Sequence, residues 1–258
     1  METIKIGNTG KDVEILCEFL KVPKKNLFDK ELDAKVKEFQ KKNSLSVDGV
    51  VGYNTWRSLI LANRQSDGKV SDWDYQMFSK LLGCEKAALK AVVEVETGGK
   101  NGFLSSGKPM ILFEGHVFWR ELKKVGIDPL RYCKDYWDVL YQNWDKTKYL
   151  GGEKEWGRLE KASKINKVAA YKSASWGMFQ VMGNNYLNCD CSDFSEFINL
   201  MKKDSFSQFL LGIGFLRKTG LYKYLVTKDW ESFARGYNGG GQVQTYSEKL
   251  KKAYNNCK

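Results

Sequence analysis

The most informative side chain in this sequence is a glutamate near the end of an apolar helical stretch. In residues 84–99, C-E-K-A-A-L-K-A-V-V-E-V-E-T-G-G, one face at 100° per residue carries Leu89, Val92, Val93 and Glu96. Two glycines end the helix directly afterwards, so Glu96 lies at its C-terminus. Burial and the negative end of the helix dipole both disfavour a carboxylate there and raise its pKa. A general acid needs this environment at neutral pH, although a buried acid satisfied by a donor or a basic partner fits the same pattern.

A second carboxylate follows the apolar run P-M-I-L-F, where Glu114 opens another helical stretch. Glycosidic bonds are commonly cleaved by two carboxylates that flank the bond, so Glu96 and Glu114 form a candidate catalytic pair. His116 is able to hydrogen-bond either acid. The alternatives are that Glu114 simply favours a helix N-terminus and that His116 is a satisfied core histidine.

Two further stretches combine aromatic rings, amides and glycines: S-A-S-W-G-M-F-Q-V-M-G-N-N-Y at 173–186 and F-A-R-G-Y-N-G-G-G-Q at 233–242. Pyranose rings bind by stacking on aromatic faces and by hydrogen bonds to amides. With His116, the candidate sugar-binding residues are therefore Trp176, Gln180, Tyr237 and Asn238. Aromatic residues beside glycine also pack in protein cores, and that alternative stays open for both stretches.

The elements that must position these residues are mainly helical. Residues 1–62 show the apolar spacing of three short helices, and helical periodicity recurs from Ser71 onward while strand-like alternation is scarce. The segment 101–113 predicts a short hairpin. We therefore predict a small three-helix N-terminal module and a larger α-rich domain with a small β-element.

The best candidate linker is the polar, glycine-containing segment N-R-Q-S-D-G-K-V. The predicted boundaries are 1–63 for the first domain, 64–72 for the linker and 73–258 for the second domain.

Composition limits the class of protein. The 258 residues carry a formal net charge of +11, which favours a polyanionic partner such as nucleic acid, an anionic membrane surface or an acidic cell envelope. No dense Lys/Arg run occurs, so nucleic-acid binding is weakly supported. Six scattered cysteines and a single histidine argue against a structural zinc site and indicate reduced thiols. The sequence shows neither a secretory signal nor an apolar run long enough for a membrane helix.

The N-terminal segment 4–60 resembles the type 1 peptidoglycan-binding domain. The family pattern G-x-x-G-x-x-V-x-x-L appears as Gly7, Gly10, Val13 and Leu16. The closing pattern D-G-x-x-G-x-x-T-W appears as Asp48, Gly49, Gly52, Thr55 and Trp56. The internal D-G-x-F-G of the repeat is reduced to N-L-F-D at 26–29. Most of these positions shape turns, so they identify the fold better than the ligand contacts.

Residues 73–256 resemble the N-acetylmuramidase domain of bacteriophage endolysins. Four motifs carry the likeness in order: V-E-V-E-T-G-G, G-F-L-x-x-G-K-P-x-I-L-F-E-x-H-x-F, S-A-S-W-G-x-F-Q-V-M-G-x-N-Y and F-A-R-x-Y-N-G. The resemblance implies that Glu96 is the catalytic acid and that Glu114 corresponds to the family's second glutamate. It places Gln180, Tyr237 and Asn238 on lysozyme-like cleft positions. The loop 97–113 is one residue longer than the family pattern leads us to expect.

The resemblance implies a modular endolysin with a lysozyme-like fold that hydrolyses the β-1,4 bond between N-acetylmuramic acid and N-acetylglucosamine. It implies no metal and no cofactor. We expect peptidoglycan as the partner of a monomer that binds no nucleic acid and does not insert stably into membranes. We also expect the protein to wait in the host cytoplasm until a separate pore protein releases it to the wall. The alternatives are a lytic transglycosylase that leaves 1,6-anhydro products and a non-catalytic wall-binding protein.

Overall fold

The computed structural model describes residues 1–65 and 67–258, and residue 66 of the predicted linker lies outside the described residues. The chain divides into two compact units. The first comprises Met1–Asp67 with Ser71–Lys86, and the second comprises Gly68–Val70 with Ala87–Lys258. The segment 73–86, which the sequence analysis assigned to the second domain, therefore packs with the first unit.

The first unit contains the three predicted helices and a fourth: α1 (Lys11–Leu20), α2 (Lys30–Lys42), α3 (Tyr53–Asn63) and α4 (Asp72–Leu82). Asp29 caps α2 by accepting a hydrogen bond from the Leu32 amide. The core is formed by apolar residues at helical spacing from the first three helices, which include Val13, Leu16, Val36, Leu59 and Ile60.

The D-G-x-x-G segment of this unit is organised by the buried amide of Gln40. Its Nε2 donates to Asp48 Oδ1 and to the Val50 carbonyl, each at 3.0 Å, and its Oε1 accepts from the Gly49 amide. Gly49 has φ +74°, and a Cβ there would lie 2.1 Å from Asp33 Oδ1. Only glycine suits both this backbone conformation and this close approach.

The second unit is mainly α-helical, as the sequence predicted. Its helices are α5 (Lys86–Thr97), which begins at the last residue of the first unit, α6 (Gly115–Lys124), α7 (Cys133–Tyr136), α8 (Lys154–Ser163), α9 (Lys167–Lys172), α10 (Phe194–Lys203), α11 (Ser205–Lys218), α12 (Tyr222–Thr227), α13 (Trp230–Asn238) and α14 (Val243–Asn256). Its 3₁₀ turns are Pro129–Arg131, Lys146–Lys148, Gly177–Phe179 and Gly183–Cys189.

Helix α11 lies at the centre of this unit, with ten of its residues buried. A Cβ at Gly212 would lie 2.1 Å from the ring of Phe179, so glycine permits the turn Gly177–Phe179 to pack directly on the helix.

The small β-element is an antiparallel sheet in the order β1 (Ile111–Phe113), β2 (Ala174–Trp176) and β3 (Val181–Met182). Leu112 pairs with Ser175, and Trp176 pairs with Val181. The predicted hairpin within 101–113 is present only as the bridge between Phe103 and Pro109. Strand β1 pairs instead with the distant strand β2, and a three-stranded sheet is more stable than an isolated two-stranded hairpin.

Candidate active site

Glu96 lies in the last turn of α5, and Gly98 and Gly99, both with positive φ, follow it. Leu89 and Val92 on the same face of the helix are fully buried. Burial raises the pKa of the Glu96 carboxyl to about 7. The expectation drawn from helical phase is confirmed: this acid is desolvated and carries its proton up to neutral pH.

The partner of Glu96 is a tyrosine that the sequence analysis did not identify. The Tyr246 hydroxyl, in the first turn of α14, donates a hydrogen bond to Glu96 Oε1. This bond stabilises the carboxylate and lowers its pKa, in opposition to the larger effect of burial. Burial and the charge of Glu96 raise the pKa of Tyr246 itself, so its hydroxyl stays protonated and remains a donor.

Tyr237 and Asn238, at the end of α13, lie next to this pair. The rings of Tyr237 and Tyr246 stack at 6.3 Å with 15° between their planes. The Tyr237 hydroxyl donates to the Phe179 carbonyl, and burial raises its pKa. The side chain of Asn238 interacts with the Tyr246 hydroxyl and lowers its pKa. Tyr237 therefore supports the Tyr246–Glu96 pair through its ring, while Asn238 is exposed.

Gln180 adopts a left-handed backbone conformation, with φ of 43°. Its Oε1 accepts from Ser175 Oγ at 2.9 Å and its Nε2 donates to the Gly177 carbonyl at 2.8 Å. Both ends of the amide are thus already paired inside the unit, and Gln180 stabilises the turn that carries Phe179.

Trp176 is fully buried, and its indole N–H donates to the Tyr171 carbonyl at 3.0 Å. Its ring packs against Trp156 and Tyr171. The prediction that Trp176 contacts substrate is wrong, because no face of the ring is open to a sugar. The alternative reading, packing, describes this residue.

Glu114 occupies the N-cap position of α6, but its side chain makes no capping hydrogen bond. Its Oε2 instead accepts from the Tyr149 hydroxyl. His116 Nδ1 lies 3.3 Å from the same oxygen but makes no hydrogen bond to it. The His116 ring also faces that of Tyr141 at 6.5 Å. The alternative that Glu114 merely stabilises the N-terminus of a helix therefore does not account for the contacts of its carboxylate.

A buried ion pair supports the strand that leads to Glu114. Arg158 Nη1 donates to Glu155 Oε2 at 2.7 Å, and both side chains are almost completely buried. The pair binds both backbone polar groups of Phe113. Glu155 accepts a hydrogen bond from the Phe113 amide, and Arg158 donates one to the Phe113 carbonyl. Arg158 also donates to the Tyr141 hydroxyl. This pair was not predicted from the sequence, because an E-x-x-R spacing on a helix usually marks a solvated surface.

The predicted residues therefore fall into two groups by their contacts. Glu96 is joined to Tyr237 and Asn238 through Tyr246. Glu114 is joined to His116 and Tyr149. Within residues 1–65 and 67–258, no cluster of three His, Cys, Asp or Glu side chains is arranged to hold a metal ion. No helix in the described part of the chain is long and apolar enough to cross a membrane.

The α-rich unit with its small antiparallel sheet has a lysozyme-like fold, and the raised pKa of Glu96 suits the acid of a glycoside hydrolase. The N-acetylmuramidase family model matches residues 85–258, and the peptidoglycan binding domain model matches residues 16–59. The chain belongs to the N-acetylmuramidase family. It is a peptidoglycan-hydrolysing enzyme with an N-terminal peptidoglycan-binding region.

Among solved structures, the chain is similar to the crystal structure of the endolysin of Burkholderia AP3 phage. The identity is 30%, the TM-score is 0.65, and the match covers 99% of each chain. A comparison with curated proteins gave no match.

Proposed function

We propose that Glu96 is the general acid that protonates the leaving oxygen of the β-1,4 bond between N-acetylmuramic acid and N-acetylglucosamine. The observation that carries this proposal is the pKa of about 7 in a buried carboxyl at the end of α5. A group with this pKa keeps its proton at neutral pH and still releases it readily. Tyr246 supports the role because its hydrogen bond stabilises the carboxylate left after proton transfer.

Glu114 is the second carboxylate of the proposal. It either activates the attacking water or stabilises the oxocarbenium-like transition state. The hydrogen bond from Tyr149 keeps its carboxylate oriented. Asn238, which is exposed beside Tyr246, supplies an amide for the substrate.

The test of the acid is Glu96→Gln, which keeps the shape and the Tyr246 contact but has no proton to donate. Clearing of purified sacculi should fall by about a hundredfold to ten-thousandfold, the usual range for loss of general acid catalysis. Binding to the same sacculi should be unchanged. Clearing at the wild-type rate would remove Glu96 from the mechanism.

The product distinguishes hydrolysis from the rival transglycosylase reaction, which needs only one acid. Mass spectrometry of digested sacculi should show reducing N-acetylmuramic acid ends. Termini in the 1,6-anhydro form would assign the chain to the transglycosylases and would remove the need for water activation at Glu114.

For the biological role, we propose that the chain is a phage endolysin that lyses the bacterial host at the end of infection. The support is its similarity over 99% of both chains to the Burkholderia AP3 phage endolysin. The enzyme would act as a monomer and reach the wall from the host cytoplasm through a separate pore protein. Expression in bacterial cytoplasm should cause lysis only after the membrane is permeabilised, and lysis without permeabilisation would contradict this route.

A further inference from the structure

The segment between α6 and α8 carries two tryptophans that are largely exposed. Trp137 is 62% exposed and Trp144 is 55% exposed. Single exposed apolar residues are ordinary, but two exposed indoles within one short segment are unusual, because tryptophan is highly buried on average.

One turn lies next to both rings. Asp145 accepts hydrogen bonds from the Thr147 amide at 2.9 Å and from the Thr147 hydroxyl at 2.7 Å, which fixes the 3₁₀ turn Lys146–Lys148. Trp144 lies immediately before Asp145, which caps this turn, and Tyr149 follows the turn. Lys148, within the turn, lies over the Trp137 ring at 4.2 Å and covers one of its faces.

Trp144 is connected to the Glu114 carboxylate through a single residue. Its ring lies 6.5 Å from the ring of Tyr149, and the two planes are tilted by 57°. The indole N–H interacts with the Tyr149 hydroxyl and lowers its pKa. That hydroxyl in turn donates to Glu114 Oε2. An exposed aromatic surface therefore begins one tyrosine ring away from the second carboxylate of the proposed mechanism.

We propose that Trp144 is a sugar-binding position next to Glu114, where a pyranose of the glycan strand stacks on the indole face. The inference rests on the proposed function, since it takes Glu114 as part of the cleavage site. Three properties favour a glycan as the occupant. The indole offers a broad apolar face with a polar edge, the adjacent Tyr149 and Asp145 offer hydroxyl and carboxylate partners for sugar hydroxyls, and Tyr149 links the indole to the Glu114 carboxylate.

The matched control is Trp137, which is equally exposed and lies next to the same turn but has its contact with Lys148 rather than with Tyr149. Binding is measured by isothermal titration of soluble, uncrosslinked glycan fragments into the Glu96→Gln protein. Adding Trp144→Ala should raise Kd about tenfold, as expected for loss of a buried aromatic contact. Adding Trp137→Ala should leave Kd within about twofold.

A third variant separates the ring face from the indole N–H. Trp144→Phe keeps an aromatic face and should bind within about threefold of the parent, because stacking needs only the face. An unchanged Kd in Trp144→Ala would overturn the proposal. An equal loss in Trp137→Ala, or a loss in Trp144→Phe as large as in Trp144→Ala, would overturn it as well.

Failure of this inference can be told apart from failure of the proposed function. If Glu96→Gln still cleaved glycans, the acid assignment would be wrong. The KM of the Trp144 and Trp137 variants in the wild-type background would then report the same comparison.

Discussion

Glu96 exchanges its proton near neutral pH because two opposing effects act on one carboxyl. Burial raises its pKa, and the hydrogen bond from Tyr246 lowers it, which leaves a value of about 7. The acid must be protonated to act, so activity should be lost as the pH rises through this pKa.

Removing the Tyr246 hydroxyl should therefore shift the alkaline limb of the pH profile upward. Tyr246→Phe deletes the donor that stabilises the carboxylate, so the pKa of Glu96 rises further and the protonated form persists to higher pH. The measurement is kcat/KM against pH, which reports the free enzyme. Tyr237→Phe is the control, since its hydroxyl donates to Phe179 and not to Glu96. A limb that stays in place in Tyr246→Phe, or moves equally in the control, would contradict this account.

The raised pKa also has a consequence for folding stability. The pKa of Glu96 rises from 4.5 to about 7, so the folded state holds the proton more tightly than the unfolded chain does. Its contribution to the free energy of unfolding is complete below pH 4.5 and is lost as the pH rises to 7. Glu96→Gln has no such titration. Its stability relative to wild type should increase between pH 4.5 and 7 by up to about 3 kcal/mol and then level off.

Urea denaturation at pH 5 and at pH 8 checks this prediction. A constant difference between the two proteins across this range would mean that Glu96 is not desolvated in the folded state.

Some residues of the candidate site could be predicted from the sequence and others could not. Glu96 was identifiable because helical phase and two following glycines are local signals. Tyr246 was not, because it lies 150 positions further along and meets Glu96 only through the tertiary fold. Trp176 was assigned to the substrate for the opposite reason: composition suggests aromatic stacking, but burial decides whether a face is available.

At the scale of elements, the same distinction applies. Helix α5 and the helices of the first unit follow their apolar periodicity. Helix α14 is rich in polar residues, and no candidate site residue was predicted within it, so Tyr246 was missed. Strand β1 lies within the segment 101–113 for which a hairpin was predicted, but its partner β2 depends on non-local pairing that periodicity does not encode.

Helix α8 positions β1 through the buried Glu155–Arg158 pair, so breaking this pair should destabilise the enzyme strongly. Arg158→Ala leaves the Glu155 carboxylate buried without its cation, which typically costs about 3–5 kcal/mol. The free energy of unfolding from chemical denaturation measures the effect.

Lys161→Ala is the matched control on the same helix. It removes a partly exposed ion pair with Asp138, and solvent screening should limit its cost to about 0.5 kcal/mol. Equal costs for the Arg158 and Lys161 variants would show that the buried pair does not hold β1.

At the scale of the whole molecule, a wall-binding unit and a catalytic unit lie on one chain with a net charge of +11. Cell walls are polyanionic and insoluble, so positive charge and a tethered binding unit both raise the enzyme concentration near its substrate. This advantage should exist only on intact wall. A soluble glycan fragment reaches the cleft by diffusion whether or not the first unit binds anything.

Gly49→Val tests this division of labour. The left-handed backbone at φ +74° disfavours a β-branched residue, and any Cβ would collide with Asp33, so the turn held by Gln40 should be disrupted. Sedimentation with sacculi should fall by about tenfold or more, and clearing of sacculi should fall with it. Cleavage of soluble glycan fragments should keep its kcat/KM, because Glu96 and Tyr246 belong to the other unit. Gly7→Ala, where no atom lies within 4 Å of the added Cβ, is the milder control at another positive-φ glycine. If Gly49→Val lost activity on soluble fragments and on sacculi to the same extent, the first unit would be part of the catalytic fold rather than a tether.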